Sequence, residues 1–257
     1  MNISKNTYMA TQSENEIRSH TIFESLVYHL LPGILIGLVY YFLLPFIRST
    51  GYPSVMALAL TAIFVLIPIE LGVLLWQGKR HNGKLSLKGI VLYRRRYGWW
   101  QSILWILLIF ITSGLIITLL DPVSELIKGW FYWIPDNLRL EMGLSETFSR
   151  DKLIQTYLAH FVFIVILAPA VEELYFRGFL LPRMPKNFGW AAPLIHSFLF
   201  AVYHVWSPWM FLARTLALLP LIYIVRWKQN VILGIGAHWL INSIDLVMGV
   251  MFIIQMG

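Results

Sequence analysis

The chain alternates long apolar runs with short polar stretches, and this pattern limits what it can fold into. About 20 apolar residues in a helix cross the roughly 30 Å of hydrocarbon in a bilayer. We count seven runs that meet or approach this length, and each is predicted to be a transmembrane helix: Leu26–Ile47, Ser54–Trp76, Ser102–Leu120, Leu153–Leu181, Trp190–Trp206, Trp209–Val225 and Val231–Ile254.

Composition argues against a soluble domain. Of 257 residues, 58% are hydrophobic and 13% are charged, and the mean hydropathy is +0.68. A soluble domain of this size would need more polar surface. We therefore expect an all-α fold, a polytopic membrane helix bundle of about seven transmembrane helices that forms one integral domain. Its expected parts are a polar N-terminal segment (1–25), the first helices with an outer loop (26–152) and a C-terminal helix core (153–257).

The net charge of +7 is concentrated beside the predicted helices. The connection between the second and third runs has no acidic residue among its basic ones, which are Lys79, Arg80, Lys84, Lys88, Arg94, Arg95 and Arg96. Such loops face the cytoplasm, so the N-terminus is predicted to be cytoplasmic. The expected partner of this charge is membrane lipid and not nucleic acid. A multi-pass protein of a bacterial or archaeal plasma membrane is predicted, and no pattern indicates an oligomeric state.

Two adjacent carboxylates, Glu172 and Glu173, interrupt the fourth apolar run. Carboxylates at membrane depth are costly and mainly persist where chemistry or ion passage uses them. Both cannot ionise cheaply in a low dielectric, so one should be ion-paired and the other should favour its neutral form. Arg177 follows Glu173 by four residues, which is the favourable order for a helical ion pair.

Two later helices carry further polar residues at membrane depth. His204 follows Phe200 by four residues, and Asn242 follows His238 by four, so each pair projects from one helix face. At about 1.5 Å per helical residue, His204 lies roughly 21 Å from the start of its helix, and His238 and Asn242 lie roughly 10 and 17 Å from the start of theirs. Glu172 lies roughly 15 Å from the end of its helix. Three helices therefore deliver polar groups to one layer.

These residues form three ordered motifs. The sequences Glu172-Glu173-Leu-Tyr-Phe-Arg177, Phe200-Ala-Val-Tyr-His204 and His238-Trp-Leu-Ile-Asn242 resemble the EExxxR, FxxxH and HxxxN motifs of one family. This is the family of CAAX-prenyl-protease and bacteriocin-processing (CPBP, or ABI) intramembrane glutamic proteases. The resemblance covers about the C-terminal hundred residues. It implies an endopeptidase without a cofactor that acts on a peptide or lipidated-peptide substrate.

The same residues suggest a division of roles. We interpret Glu172 as the general base that takes a proton from water, with Glu173 and Arg177 orienting it or binding substrate. His204 is placed to help activate that water. His238 and Asn242 could donate hydrogen bonds to the developing oxyanion.

Two more residues are assigned to the surroundings of this site. Phe200 is expected to support it or to contact substrate. Asp245 follows His238 by seven residues on the same helix face, so it could fix the tautomer of that imidazole. It could equally be a charge near the helix end.

Other mechanisms receive less support. The chain has no cysteine, which excludes thiolate catalysis, and it lacks the HExxH, GxSxG and GxGD motifs of other proteases. A metal held by Glu172, His204 and His238 is an alternative. A catalytically idle scaffold or immunity protein and a proton-coupled transporter are also alternatives. The intact polar set argues against the first of these, and the absence of internal symmetry argues against the second.

Several intramembrane polar residues receive a structural interpretation. Glu70 is expected to pair with an arginine or with the backbone. Arg214 is expected to extend outward to the membrane surface. The histidines at 29, 160 and 196 are interpreted as hydrogen-bonded packing residues.

The charge pattern makes a topological prediction. The natural chain has no cysteine, so single cysteines can be introduced cleanly. We expect Lys84→Cys to react with a membrane-impermeant thiol reagent only after the membrane is opened, because the basic loop is inside. Asn137→Cys should react in intact cells. The opposite labelling pattern would invert the topology.

Overall fold

The computed structural model describes residues 18–256. Within this range every regular element is helical, and the one strand-like feature is an isolated antiparallel bridge between Arg94 and Asn230. The all-α prediction is confirmed. Most of the predicted polar N-terminal segment, residues 1–17, lies outside the described part.

The described chain forms eight main helices. Their bounds are α1 Ile22–Ser49, α2 Ser54–Asn82, α3 Trp99–Lys128, α4 Arg150–Arg183, α5 Ala192–Tyr203, α6 Phe211–Ala217, α7 Leu219–Lys228 and α8 Val231–Gln255. Local signals explain two of the starts. Thr21 and Glu24 form a capping box before α1, and the Asn230 side chain accepts a hydrogen bond from the Ile232 N–H at the start of α8.

Five or six of the seven expected spans are long and apolar enough in the described residues, so the exact count stays a prediction. Five helices (α1, α2, α3, α4 and α8) are long and apolar enough to cross a membrane. A sixth span results if Pro208–Ala217 and Leu219–Lys228, which are bent by 42° relative to each other, are taken together. The predicted span Trp190–Trp206 corresponds to α5, which has only 12 residues.

The short α5 has a local cause. His204 leaves the helical conformation, with φ −80° and ψ 60°, and the chain then passes through a turn before Pro208. Twelve helical residues cover about 18 Å, well short of the bilayer core. A continuous apolar run therefore predicted a longer helix than the backbone forms.

Helix α4 lies at the centre of the bundle and contacts α1, α2, α7 and α8. Its C-terminal half is almost fully buried, including Tyr175, Phe176, Phe179 and Leu180. Helix α1 approaches α5 closely at Gly33, where a Cβ atom would lie 2.3 Å from the Tyr203 carbonyl oxygen. This contact holds the end of α5 next to α4.

The basic connection between α2 and α3 folds over one end of the bundle. Leu92 N–H donates to the Gly178 carbonyl (2.8 Å), and Arg183 Nη1 donates to the Ile90 carbonyl (2.9 Å). Val231 N–H, at the start of α8, donates to the Tyr93 carbonyl (2.8 Å). The end of α4, the start of α8 and the basic connection thus share one side of the bundle, as the charge pattern requires.

Candidate active site

Helix α4 carries two π-helical stretches, His160–Leu167 and Glu173–Leu180, and the first attaches α8. A π-helix bonds the N–H of residue i to the carbonyl of residue i−5. Pro169 has no N–H and stands five residues after Ile164, so that carbonyl lacks its π-helical donor. Asn242 Nδ2 donates to this Ile164 carbonyl at 2.9 Å, and Trp239 Nε1 donates to the Ile166 carbonyl at 2.9 Å. The α8 side chains thus compensate for irregular backbone in α4.

The second π-helical stretch carries an ion pair that also binds α8. Arg177 Nη1 lies 3.2 Å from Glu173 Oε1, and both side chains are fully buried. His238 Nδ1 lies 3.1 Å from the same oxygen. A carboxylate only accepts hydrogen bonds, so His238 Nδ1 carries the hydrogen. The expected Glu173–Arg177 pair is therefore present, with His238 as its third member.

Space for the Glu173 carboxylate depends on Gly234 in α8. A Cβ atom at this position would lie 2.5 Å from Glu173 Oε2. Any larger residue would press on the carboxylate that contacts Arg177 and His238. Gly234 was not singled out from sequence, because its effect depends on a helix far away in the chain.

The Glu172 side chain lies beside this cluster and is 6% exposed. Its Oε2 atom is 4.0 Å from His238 Nε2, the nitrogen that does not face Glu173. The His238 ring therefore stands between the two adjacent carboxylates, contacting one directly and lying near the other.

His204 is brought to the same region by the end of α5. Its Nδ1 atom is 2.8 Å from the Phe200 carbonyl, so Nδ1 donates and Nε2 keeps its lone pair. The Phe200 ring also lies 4.1 Å from the Arg177 guanidinium, a cation–π distance. Phe200 thus links the two motifs, which fits its predicted supporting position.

The structure adds two residues to this neighbourhood. The Tyr203 hydroxyl lies 2.8 Å from Glu70 Oε1. Glu70 was expected to pair with an arginine or with the backbone, and its hydrogen-bond partner is instead a tyrosine. Tyr203 stands directly before His204 in sequence, which was the only available signal.

The expectation for Arg214 is wrong, and so is one of the two interpretations of Asp245. Arg214 does not extend outward: Nη2 donates to Ser207 Oγ (3.0 Å), and Nη1 is buried. Asp245 is exposed and is not the partner of His238, because Glu173 occupies the Nδ1 position. The seven-residue spacing places Asp245 on the same helix face as His238, but about two helical turns away from its imidazole.

The metal alternative can be compared with the geometry. In residues 18–256, no group of three or more His, Asp or Glu side chains is arranged to hold a metal ion. Glu172, His204 and His238 therefore do not converge as a ligand set in this conformation.

The fold and the site define a class of protein: a multi-pass membrane protein with a buried Glu–Glu–Arg–His cluster among apolar helices. Residues 154–244 match the family model described as Type II CAAX prenyl endopeptidase Rce1-like. The resemblance predicted from the three motifs is thereby confirmed, over about a third of the chain. No curated protein and no solved structure matches the chain.

The packing at Gly234 generates a prediction. Gly234→Ala should shift the Glu173 carboxylate and weaken its contact with His238. We therefore expect the variant to hydrolyse a library of prenylated and unprenylated peptides about tenfold to a hundredfold more slowly than the wild type. The matched control is Gly114→Ala in α3, where a Cβ atom meets nothing within 4 Å. Equal rates for both variants, at equal thermal stability, would contradict the assigned role of Gly234.

Proposed function

We propose that this protein is an intramembrane endopeptidase that hydrolyses a peptide bond in a lipid-anchored, peptide or membrane-associated substrate by means of glutamate-activated water. The observation that carries the proposal is the meeting of Glu172, Glu173 and Arg177 from α4 with His238 from α8 inside an apolar bundle. Buried charges of this kind are retained where chemistry uses them. We further propose that it acts in the plasma membrane with its N-terminus in the cytoplasm.

In this proposal Glu172 is the general base. Its Oε2 atom and His238 Nε2 are 4.0 Å apart, a separation at which two polar groups can both accept from one water molecule. His238 donates through Nδ1 to Glu173, so its Nε2 atom is available as an acceptor. The water would donate to both groups and present an oxygen lone pair to the scissile carbonyl.

Glu173 and Arg177 serve as positioning residues in this scheme. The carboxylate of Glu173 fixes the tautomer and orientation of His238, and the guanidinium of Arg177 compensates its charge. Breaking one member of a buried pair leaves an uncompensated charge. The cluster thus links the stability of the α4–α8 contact to the geometry of the base.

His204 completes the arrangement. Its Nε2 atom retains a lone pair, which supports the expected share in activating water. The Arg214 guanidinium donates to Ser207 Oγ (3.0 Å), three residues after His204.

The oxyanion donor follows from the hydrogen bonds of Asn242. An asparagine amide has two N–H groups, and the Ile164 carbonyl engages Nδ2 at 2.9 Å. The second N–H is the donor that we assign to the developing oxyanion. His238, which the sequence placed in the same role, is better suited to bind water through Nε2.

The reaction balances with these groups. Water forms a C–O bond to the carbonyl carbon as Glu172 takes one of its protons. The tetrahedral intermediate then collapses, the C–N bond breaks, and the protonated Glu172 returns a proton to the leaving amine.

An apolar cavity supports a substrate with a large hydrophobic portion. Its volume is about 670 Å³, and its walls include Val202 and Val205, which flank Tyr203 and His204. Aromatic residues from the connection after α3, among them Phe131 and Trp133, close the other side. A lipid chain or an apolar peptide segment would fit such a surface.

Substitution of the base tests the proposal. Glu172→Gln is nearly isosteric and removes a costly buried charge, so the folded protein should be as stable as the wild type or more stable. Loss of the base should lower the rate at least about a hundredfold. Mass spectrometry of peptides that accumulate in cells with this variant should identify the substrate. Turnover close to that of the wild type would transfer the base role to Glu173 or refute the mechanism.

Chelation separates a glutamate mechanism from a metal mechanism. We expect purified enzyme in detergent to contain less than stoichiometric zinc and to keep its activity after prolonged chelation. Metal dependence would instead make activity fall with chelation and return with added Zn²⁺. One tightly bound zinc per chain, with activity following its occupancy, would make Glu172 a ligand or a metal-assisted base.

A further inference from the structure

A separate cavity lies at the end of the bundle that the basic connection covers, where α3 begins and α7 ends. Its volume is about 410 Å³. It is lined by Tyr97, Gln101, Leu104, Trp105, Leu108 and Lys228. None of these residues takes part in the proposed chemistry. Polar groups line one part of the cavity and apolar side chains line the other, so a ligand that fills it has two unlike portions.

The polar part of the cavity is held in place by contacts between the basic connection and the end of α7. The Tyr97 hydroxyl donates to the Lys228 carbonyl at 3.0 Å. Arg95 N–H donates to the Gln229 carbonyl at 2.8 Å, and Asn230 Nδ2 donates to the Arg95 carbonyl at 2.8 Å. These bonds join segments that are distant in sequence, so the cavity is formed by the fold itself.

Lys228 brings a positive charge to this cavity without an acidic partner. Its Nζ atom lies 3.5 Å from the centre of the Trp227 ring and 4.2 Å from that of Trp105, which are cation–π distances. Within residues 18–256 no ion pair includes Lys228. Its ammonium group therefore has hydrogen-bond donors to offer to a bound anion.

The surroundings of Lys228 are also basic. The Arg95 guanidinium lies 5.7 Å from the centre of the Tyr97 ring, so a second cation borders the lining. The segments that supply the whole lining, residues 71–120 and 174–244, contain no Asp or Glu. The cavity therefore favours a negatively charged ligand, and no carboxylate in these segments competes for the two cations.

Tryptophans place the cavity at the membrane surface. The side chains of Trp99, Trp100 and Trp227 are 63%, 63% and 66% exposed, and exposed tryptophans favour the level of the lipid headgroups. Leu104 and Leu108 follow along α3, about 8 and 14 Å deeper than Trp99. The polar part of the cavity thus lies at headgroup level, and the apolar part extends into the hydrocarbon.

We propose that this cavity is a binding site for an anionic phospholipid. Its phosphate group contacts Lys228 and Gln101, which donate hydrogen bonds to the phosphate oxygens, and an acyl chain lies along Leu104 and Leu108. The guanidinium of Arg95 attracts the same headgroup. A lipid with a choline headgroup carries its own cation and gains less from these basic side chains. The inference is independent of the proposed peptidase activity.

Native mass spectrometry of the detergent-purified full-length protein tests this site. The probes are phosphatidylglycerol and phosphatidylcholine with identical acyl chains. We expect the wild type to bind phosphatidylglycerol about tenfold more tightly, or more, because two basic side chains face its headgroup. Lys228→Gln should lower this preference about fivefold, which corresponds to the loss of one basic side chain beside an anionic lipid. Lys228→Arg, which keeps the charge, should retain the preference.

Lys84→Gln is the matched control. Lys84 is an exposed lysine of the same basic connection, and it does not line the cavity. Its substitution removes the same charge from the same side of the bundle and should leave the preference unchanged. A second control is sn-glycerol 3-phosphate, which carries a phosphate group without acyl chains. In large excess it should not displace bound phosphatidylglycerol.

Three results would overturn the proposal. Equal binding of the two lipids by the wild type would exclude a site for an anionic headgroup. An equal loss of preference in Lys84→Gln and Lys228→Gln would assign the preference to the overall charge of this side and not to the cavity. Displacement by sn-glycerol 3-phosphate would indicate a site for a free anion. If Lys228→Gln does not fold, Arg95→Gln provides the same test, and an unchanged preference in that variant would contradict the site.

Discussion

The rest of the structure depends on the contacts that the buried Glu173 carboxylate makes. It meets Arg177 within α4 and His238 from α8 through the same oxygen, Oε1. In a low-dielectric interior the Glu173 carboxylate and the Arg177 guanidinium would each be unfavourable alone, and together they compensate one another. Because Gly234 leaves room for the carboxylate, the two helices approach closely enough for the contact to form. The position of Glu172 then follows from the neighbouring residue.

The irregular backbone of α4 also joins α4 to α8. The π-helical stretch and Pro169 deprive Ile164 of its usual donor, and Asn242 replaces it. In hydrocarbon an unsatisfied carbonyl would be costly, so this replacement both stabilises the bundle and fixes Asn242 near the site. The Asn242 side chain therefore serves both the structure and the proposed chemistry, so both the stability and the activity of its variants should be measured.

The sequence predicted the long apolar helices and the family resemblance, because hydropathy and motif spacing along one helix are local properties. It also predicted the Glu173–Arg177 pair, which lies within one helix. It did not predict the Tyr203–Glu70 contact, the burial of Arg214 or the early end of α5. These features depend on contacts between helices that are distant in sequence, where spacing carries no information. Asp245 shows that spacing along one helix is also not sufficient, because it shares a helix face with His238 and does not contact it.

The short α5 also makes the arrangement sensitive to bilayer thickness. Helices α4 and α8 are long enough to span the membrane and would tilt as its hydrocarbon core thickens or thins. Helix α5 does not reach both surfaces, so only its neighbours hold it in place. His204 is therefore carried by an element that responds differently to thickness from the helices that carry Glu172 and His238. The acyl-chain length of the surrounding lipid thus becomes a variable that acts directly on the spacing of these groups.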